Sequence, residues 1–429
     1  MTSCRLDFAT QDIRCFGLTS AYAYRSPDPL RHPSNPLIDT SSWVAAICLR
    51  SGWPLCAKFS GLPGSSSCVQ PAPRAANGSI VADPAKFPDG MAAVAEYLHA
   101  RGLRLGIYTA PHAQTCGGYT GSLGYEAVDA ATFAAWGIDA WKLDAGCRND
   151  CSLLDGCLQA SLARVRDGLN ATGRRVVFYI DEGNPTAGPM VYNPKARGWP
   201  QNAQTATHFA RNWTEYVLQW GPATANAFKI WFDRNDHWHS LMANTQQQVG
   251  LQWFQKPGAW IHPDQMTVGQ GHLNAAESRT EVFLYAVLAA PMFLSAAPAG
   301  LSPELLALVT NPEVLAVNWD PDGTMATLVA TSAVTDRVAV DCWVKPMSDG
   351  SFVFVVVNRD SDNARLATIA FGDGPGGDGS LTDIFPAGTG EHATVRDLGA
   401  RKDLGTFLRT WSVTLQPHDS AMVRVTPTD

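Results

Sequence analysis

The chain has 429 residues, 45% of them hydrophobic and 17% charged, and its 32 Lys and Arg against 39 Asp and Glu give a formal net charge of −7. About two or three domains are expected at this length, and 14 Trp, 17 Phe and 10 Tyr require burial, which excludes a disordered chain. The acidic balance argues against a nucleic-acid or anionic-membrane partner, and no window approaches the ~18 unbroken apolar residues of a membrane span.

Residues 1–73 read as an irregular segment, with Pro, Ser and Gly scattered and no sustained period of either kind. From residue 78 the grammar changes. FPDGMAAVAEYLHARG predicts a helix ending at Gly102, followed by a buried strand from Leu103 to Ala110. Helix YEAVDAATFAAWG precedes strand AWKLD, ending at Asp144, and helix LLDGCLQASLARVRDGLNATG precedes RVVFYID, ending at Asp181. Helix HFARNWTEYVLQWG precedes AFKIWFD, ending at Asp233. A helix around MANTQQQVGLQWF precedes GAWIHPD, ending at Asp264. The helix AAESRTEVFLYAVLAA, the short run MFLSA and the helix SPELLALVTNPEVLAV complete the series.

Strands alternating with helices imply a parallel sheet, and the repeat count predicts a (β/α)₈ barrel over residues 74–320. No glycine-rich phosphate turn follows any strand, so a dinucleotide fold is unsupported. Over residues 321–429 the runs become short and rich in Val, Thr and aromatics, which predicts a C-terminal antiparallel β-sandwich.

Nine of the ten cysteines precede residue 160: Cys4, Cys15, Cys48, Cys56, Cys68, Cys116, Cys147, Cys151 and Cys157; Cys342 stands alone. None has zinc-site spacing. They are either buried small hydrophobes or disulfides of an oxidising compartment. Sequons at Asn77, Asn170 and Asn212 tilt the choice towards a secreted or vacuolar/lysosomal glycoprotein. The first residues show no apolar leader.

Barrel enzymes carry their chemistry at the C-terminal ends of strands. A single strand-end Asp is an ordinary helix cap. Four in succession, Asp144, Asp181, Asp233 and Asp264, converge on one rim. Clustered carboxylates suit acid–base or nucleophilic work, and paired carboxylates are what glycoside hydrolysis needs. No metal or cofactor is required, since only His262 lies near these strand ends. Trp136, Trp141, Trp231, Trp238 and Trp260 would suit stacking on sugar rings, although most such Trp pack in cores.

The run GLRLGIYTAPHAQTCGGYTGSLGYEAVDAATFAAWGIDAWKLD resembles the signature region of glycoside hydrolase family 27, the α-galactosidases or melibiases, as do ADPAKFPDGM, KPGAWIHPD, LAAPMFLS, NPEVLAVNWDPDG and VRDLGARKDLG. The resemblance runs from about Arg74 to the C-terminus. It implies a metal-free, cofactor-free retaining exo-glycosidase built as a (β/α)₈ barrel with a C-terminal β-sandwich. The Asp of the family's KxD motif, Asp144 here, would be the nucleophile. Asp233, five residues before Trp238, would be the acid/base. Lys142 would bind sugar hydroxyls and keep Asp144 ionised, and Tyr108 would line the pocket. Lys229 stands where the family usually has a sugar-binding Arg, keeping the charge but losing the bidentate fork. Asp264 matches the second Asp of NDPD, and Asp181 the position that reads the 2-substituent, unless a one-residue shift gives that place to Glu182. The resemblance also implies a disulfide between Cys116 and Cys147. It implies galactosyl oligosaccharides or glycoconjugates as substrates, and leaves room for a homodimer.

The family's opening strand motif MGWNSW is missing, and its DDCW aligns with Ser66-Ser67-Cys68-Val69. The two lost Asp select galactose in the family. Changed specificity, lost activity or a wrongly joined first exon would each account for this. The last is favoured, because residues 1–65 alone lack the strand–helix rhythm. Two alternatives stand beside an α-galactosidase. One is a relative acting on α-N-acetylgalactosamine or β-L-arabinopyranose, which a carboxylate at Asp181 disfavours for the acetamido sugar. The other is a non-catalytic carbohydrate-binding homologue, which retention of Asp144 and Asp233 disfavours.

Overall fold

The structure is a computed structural model and describes residues 5–7, 12–14, 74–84, 86–145, 156–181, 219–229, 231, 233–296, 298–334, 337–370 and 392–428. Two compact units divide it: residues 1–233 with 297–300, and residues 234–296 with 301–429.

The first unit opens with β1 (Arg5–Asp7) and β2 (Asp12–Arg14), a short antiparallel ribbon. The helix Gly90–His99 then leads to β3 (Gly106–Thr109), Glu126–Ala135 to β4 (Ala140–Asp144), and Cys157–Ala171 to β5 (Val177–Asp181), with β6 at Ala227–Lys229. Each of β3 to β6 pairs in parallel with the next.

The period of two along these strands sorts their side chains. One face carries Ile107, Trp141, Leu143, Phe178, Ile180 and Phe228, all buried. Trp141 meets Phe133 of the helix Glu126–Ala135 edge-on at 4.8 Å, and its indole N–H donates to Thr109 Oγ1 at 2.8 Å. That Trp is core. The opposite face carries Tyr108, Lys142, Asp144, Tyr179, Asp181 and Lys229.

The loop after β3 is fixed at Gly121, where a Cβ would fall 2.0 Å from the His112 carbonyl oxygen. Only glycine admits this approach of two backbones. Arg74 holds the same turn by donating to Gly121 O at 2.6 Å while pairing with buried Asp129.

The second unit contains the helix Trp238–Gln246, β7 (Trp260–His262), the helix Ala275–Val287, two short helices and the strands β8 (Thr327–Val334), β9 (Arg337–Pro346), β10 (Phe352–Asn358), β11 (Arg365–Ala370), β12 (His392–Asp397), β13 (Lys402–Leu408), β14 (Thr410–Leu415) and β15 (Ser420–Thr428). Six of these strands form an antiparallel sheet in the order β13-β12-β15-β10-β9-β8, and β11 pairs with β14. Between them lies a core that includes Val344, Phe354, Val356, Ile369, Trp411, Val423 and Val425. The run FVFVVVN is apolar without alternation because β10 is buried on both faces: the helix Ala275–Val287 packs against β9, β10 and β15.

Three elements differ from expectation. The helix foreseen over 302–317 is two helices, Pro303–Val309 and Pro312–Asn318. Pro312 supplies no N–H to continue the first, and Asn311 caps the second by accepting from the Glu313 and Val314 N–H groups. The run MFLSA contributes a single bridge, Leu294 to Met266, not a strand. The strand foreseen over 227–233 is described over Ala227–Lys229, and neither Trp231 nor Asp233 is strand.

The later helices are tied to the sandwich by the Arg279–Asp419 and Arg396–Glu313 ion pairs, by the hydrogen bond between His418 Nδ1 and Glu277 Oε1, and by Asn311 Nδ2 donating to Leu398 O at 2.9 Å.

One buried charge sets a testable stability. Lys345 of β9 is fully buried, and its Nζ has no hydrogen-bond partner among the described residues. Burial pushes its ammonium down to about 8 against the opposing pull of Asp320 and Asp322. The unfolded chain holds this proton up to the ordinary lysine value of about 10.4. Folding therefore releases a proton between about pH 8 and pH 10.4, and stability from this group rises with pH across that window. Lys345→Met is expected to stabilise the protein by roughly 2–3 kcal/mol at pH 7, and the gain should shrink towards pH 10. Urea unfolding of both proteins at the two pH values checks this; a gain independent of pH contradicts it.

Candidate active site

The carboxylates and lysines of the first unit meet because parallel register puts them in rows. Asp144 of β4 lies beside Asp181 of β5, which lies beside Lys229 of β6. One step back, Tyr108 of β3 lies beside Lys142 of β4, and Lys142 beside Tyr179 of β5. Asp144 and Asp181 are each the last residue of a strand, so both rows sit at the C-terminal end of the sheet.

Asp181 is the electrostatic centre. Its carboxylate meets Lys142 Nζ at 2.6 Å and Lys229 Nζ at 3.1 Å, and all three side chains are at most 2% exposed. Isolated buried charges are costly, and alternation of sign is what makes the row tolerable. Lys229 also pairs with Asp233, whose own side chain is 59% exposed. Lysine does this as a point charge with three donors; a planar guanidinium is not needed to bridge two carboxylates on different segments. The Lys142 ammonium lies 5.9 Å from the Tyr108 ring centre and 5.4 Å from that of Tyr179, within cation–π range.

The first unit thus brings together Tyr108, Lys142, Asp144, Asp181, Lys229 and Asp233. Asp264 belongs to the second unit. It is buried with a left-handed φ of 76°, which Asp adopts more readily than most residues. Its Oδ2 accepts from the backbone N–H of Arg234, the residue after Asp233, and its Oδ1 from the Gln265 N–H, both at 2.8 Å. Glu182, Ser66, Ser67, Cys68 and Cys147 lie outside the described residues. Cys116 and Cys157 are both disulfide-bonded. Cys342 is a buried thiol pushed up to about 12 by burial and by Asp341.

Two neighbours of the rows escaped the sequence reading. Tyr179 stands two residues before Asp181, and strand alternation alone puts it on the same face. His112 is buried, and its Nε2 lies 3.1 Å from the carbonyl of Ala145, directly after Asp144. Only its place in the loop after a strand marked it.

Three carboxylates, Asp144, Asp181 and Asp233, and a pair of lysines gathered around the C-terminal ends of parallel strands suit a site of the glycoside hydrolase class. A family model described as Alpha galactosidase A matches residues 64–320, and one described as Alpha galactosidase C-terminal beta sandwich domain matches residues 338–425. The chain belongs to the α-galactosidase family of glycoside hydrolases.

It is 29% identical over 355 residues to a probable alpha-galactosidase of Dictyostelium discoideum, covering 82% of this chain and 80% of that protein. It is 32% identical over 310 residues to human alpha-galactosidase A, covering 71% of this chain and 64% of the human one. The chain thus spans just under two thirds of that relative's length. The structure of an alpha-galactosidase from Saccharomyces cerevisiae with raffinose superposes with a TM-score of 0.66 at 20% identity, covering 84% of this chain and 88% of that one. The fold is a (β/α)₈ barrel followed by a C-terminal antiparallel β-sandwich.

Proposed function

We propose that this chain hydrolyses terminal α-D-galactosyl residues with retention of configuration. Asp144 attacks the anomeric carbon to form a glycosyl-enzyme while Asp233 protonates the departing oxygen. Asp233 then takes a proton from water, which attacks the same carbon, releases galactose and frees Asp144. The observation that carries this reading is the row Asp144–Asp181–Lys229 beside Lys142: a buried carboxylate at a strand end, flanked by a carboxylate that two lysines neutralise.

Lys142, Asp181 and Lys229 hold sugar hydroxyls in this reading, Tyr108 forms a wall, and Asp264 fixes the chain after Asp233. Asp181 favours a free 2-hydroxyl, because an acetamido group would compete with its paired lysines for space. Galactosyl oligosaccharides or glycoconjugates are the proposed substrates, in keeping with the raffinose-bound yeast structure.

An extracytosolic setting, secreted or vacuolar/lysosomal, fits the bonded Cys116 and Cys157 and the exposed Asn77 and Asn170. No helix among the described residues is long and apolar enough to cross a membrane.

A panel of 4-nitrophenyl glycosides tests the substrate reading. The α-galactoside should be turned over in preference to the α-N-acetylgalactosaminide and the β-L-arabinopyranoside. Preference for either of the others, or no turnover of any, overturns it.

A further inference from the structure

We propose that Asp236, His237 and His272 bind a divalent transition-metal ion of the zinc class, which clasps the segment before the helix Trp238–Gln246 to the loop before the helix Ala275–Val287. Each of the three residues offers one ligand atom, and these atoms lie within 4.8 Å of one another. Two ligands on one zinc ion, each at ~2.0–2.1 Å, are at most ~4 Å apart. Closing from 4.8 Å takes only small rotations of side chains on the surface, and both imidazoles are exposed.

Part of the site is already assembled. His272 Nδ1 lies 2.6 Å from Asp236 Oδ2, and the rings of His237 and His272 are 4.7 Å apart. The ring of His239 stacks on that of His237 at 5.8 Å and 12°, so a third imidazole stands beside the cluster without belonging to it. His237 occupies the N-cap of its helix, yet its side chain makes no capping hydrogen bond. Ligation therefore costs the helix no cap.

The bland alternative is a solvated Asp–His hydrogen bond with histidines nearby by accident. It explains Asp236 and His272 but gives no reason for two more imidazoles at the same spot. Electrostatics allows a cation here: the helix N-terminus contributes about half a positive charge, and the full negative charge of Asp236 outweighs it.

The donor set selects the ion. Two imidazole nitrogens and one carboxylate oxygen suit zinc, copper or nickel, whereas calcium and magnesium require oxygen cages. Sequence spacing hid the set, since His237 and His272 are 35 residues apart (272 − 237). The ion has no part in the proposed hydrolysis, and its test does not use activity.

The purified full-length chain would be titrated with zinc in competition with a chromophoric chelator, and its thermal midpoint followed with and without zinc. Wild type should take up one ion at this site at micromolar zinc, with a rise in the midpoint, because an ion bound only to the folded state stabilises it. His237→Ala and His272→Ala should each unfold at the wild-type temperature without zinc. Each should weaken uptake by more than the roughly 10–100-fold that loss of a mere supporting partner costs, and remove the rise. Absence of micromolar uptake by wild type overturns the proposal. So does uptake with an unchanged midpoint rise in either variant, which would place the ion elsewhere.

Discussion

Asp144→Ala should abolish turnover of 4-nitrophenyl α-D-galactoside, with a fall in kcat on the order of 10⁵–10⁶, the scale on which loss of a nucleophile is felt. Asp233→Ala should cost less, roughly 10²–10⁴, because the nitrophenolate leaves without protonation and only the second step then lacks its base. The two losses are also distinguishable by product. With Asp144 shortened, azide can occupy the vacated side of the anomeric carbon and displace nitrophenolate in one step, giving the β-galactosyl azide. With Asp233 shortened, Asp144 still forms the glycosyl-enzyme, and azide attacks it from the opposite side to give the α-galactosyl azide. Asp144 is 4% exposed, so the isosteric Asp144→Asn must accompany the truncation, to separate lost chemistry from lost packing. The same anomer from both alanine variants, or near-normal turnover by Asp144→Asn, would sink the assignment.

Asp144 and Asp181 were legible in the sequence for a reason tied to barrels. A parallel strand covered on both sides is an apolar run, so a charged residue at its end stands out, and AWKLD and RVVFYID both do this. Lys142 was visible only through the family motif, since by composition it interrupts a strand. What the sequence could not supply was pairing between strands. That Asp181 is shared by Lys142 and Lys229 follows from register across β4, β5 and β6, and register is a property of three segments together. Asp233 closes the run AFKIWFD, whose apolar residues resume after Lys229 and so suggest a continuing strand, whereas β6 is described only over Ala227–Lys229.

The second unit repeats the lesson. β13 carries no burial alternation to mark it as a strand, since every residue in it is exposed or half-buried; its pairing with β12 defines it. The ties between the late barrel helices and the sandwich were invisible for a similar reason. The ion pairs that tie late barrel helices to the sandwich join residues more than eighty positions apart, as Glu313 to Arg396 shows.

Glu281→Ala should be among the most destabilising single changes in the second unit, by about 3–5 kcal/mol in urea unfolding. Glu281 and Arg234 form an ion pair with side chains 0% and 1% exposed. Around them the hydrogen bonds close: Arg234 Nη2 donates to Thr267 Oγ1 at 2.8 Å, the Thr267 N–H donates to Glu281 Oε1 at 2.7 Å, and Tyr285 OH donates to the Asp264 carbonyl at 2.7 Å. Burial opposes the charge on Arg234, yet the Glu281 carboxylate outweighs it and holds the guanidinium above its ordinary value. Removing Glu281 leaves that cation buried without its counter-charge, which is a larger loss than the net worth of the pair. The double variant Arg234→Met/Glu281→Leu, with neither charge present, should therefore recover most of the stability lost in the single one. Asp167→Ala supplies the contrast: its pair with Arg166 has side chains 65% and 36% exposed, and its loss should cost no more than about 1 kcal/mol. If Glu281→Ala costs no more than Asp167→Ala, or if the double variant is no more stable than Glu281→Ala, then the pair is not the buried constraint on the chain after Asp233 that its geometry describes.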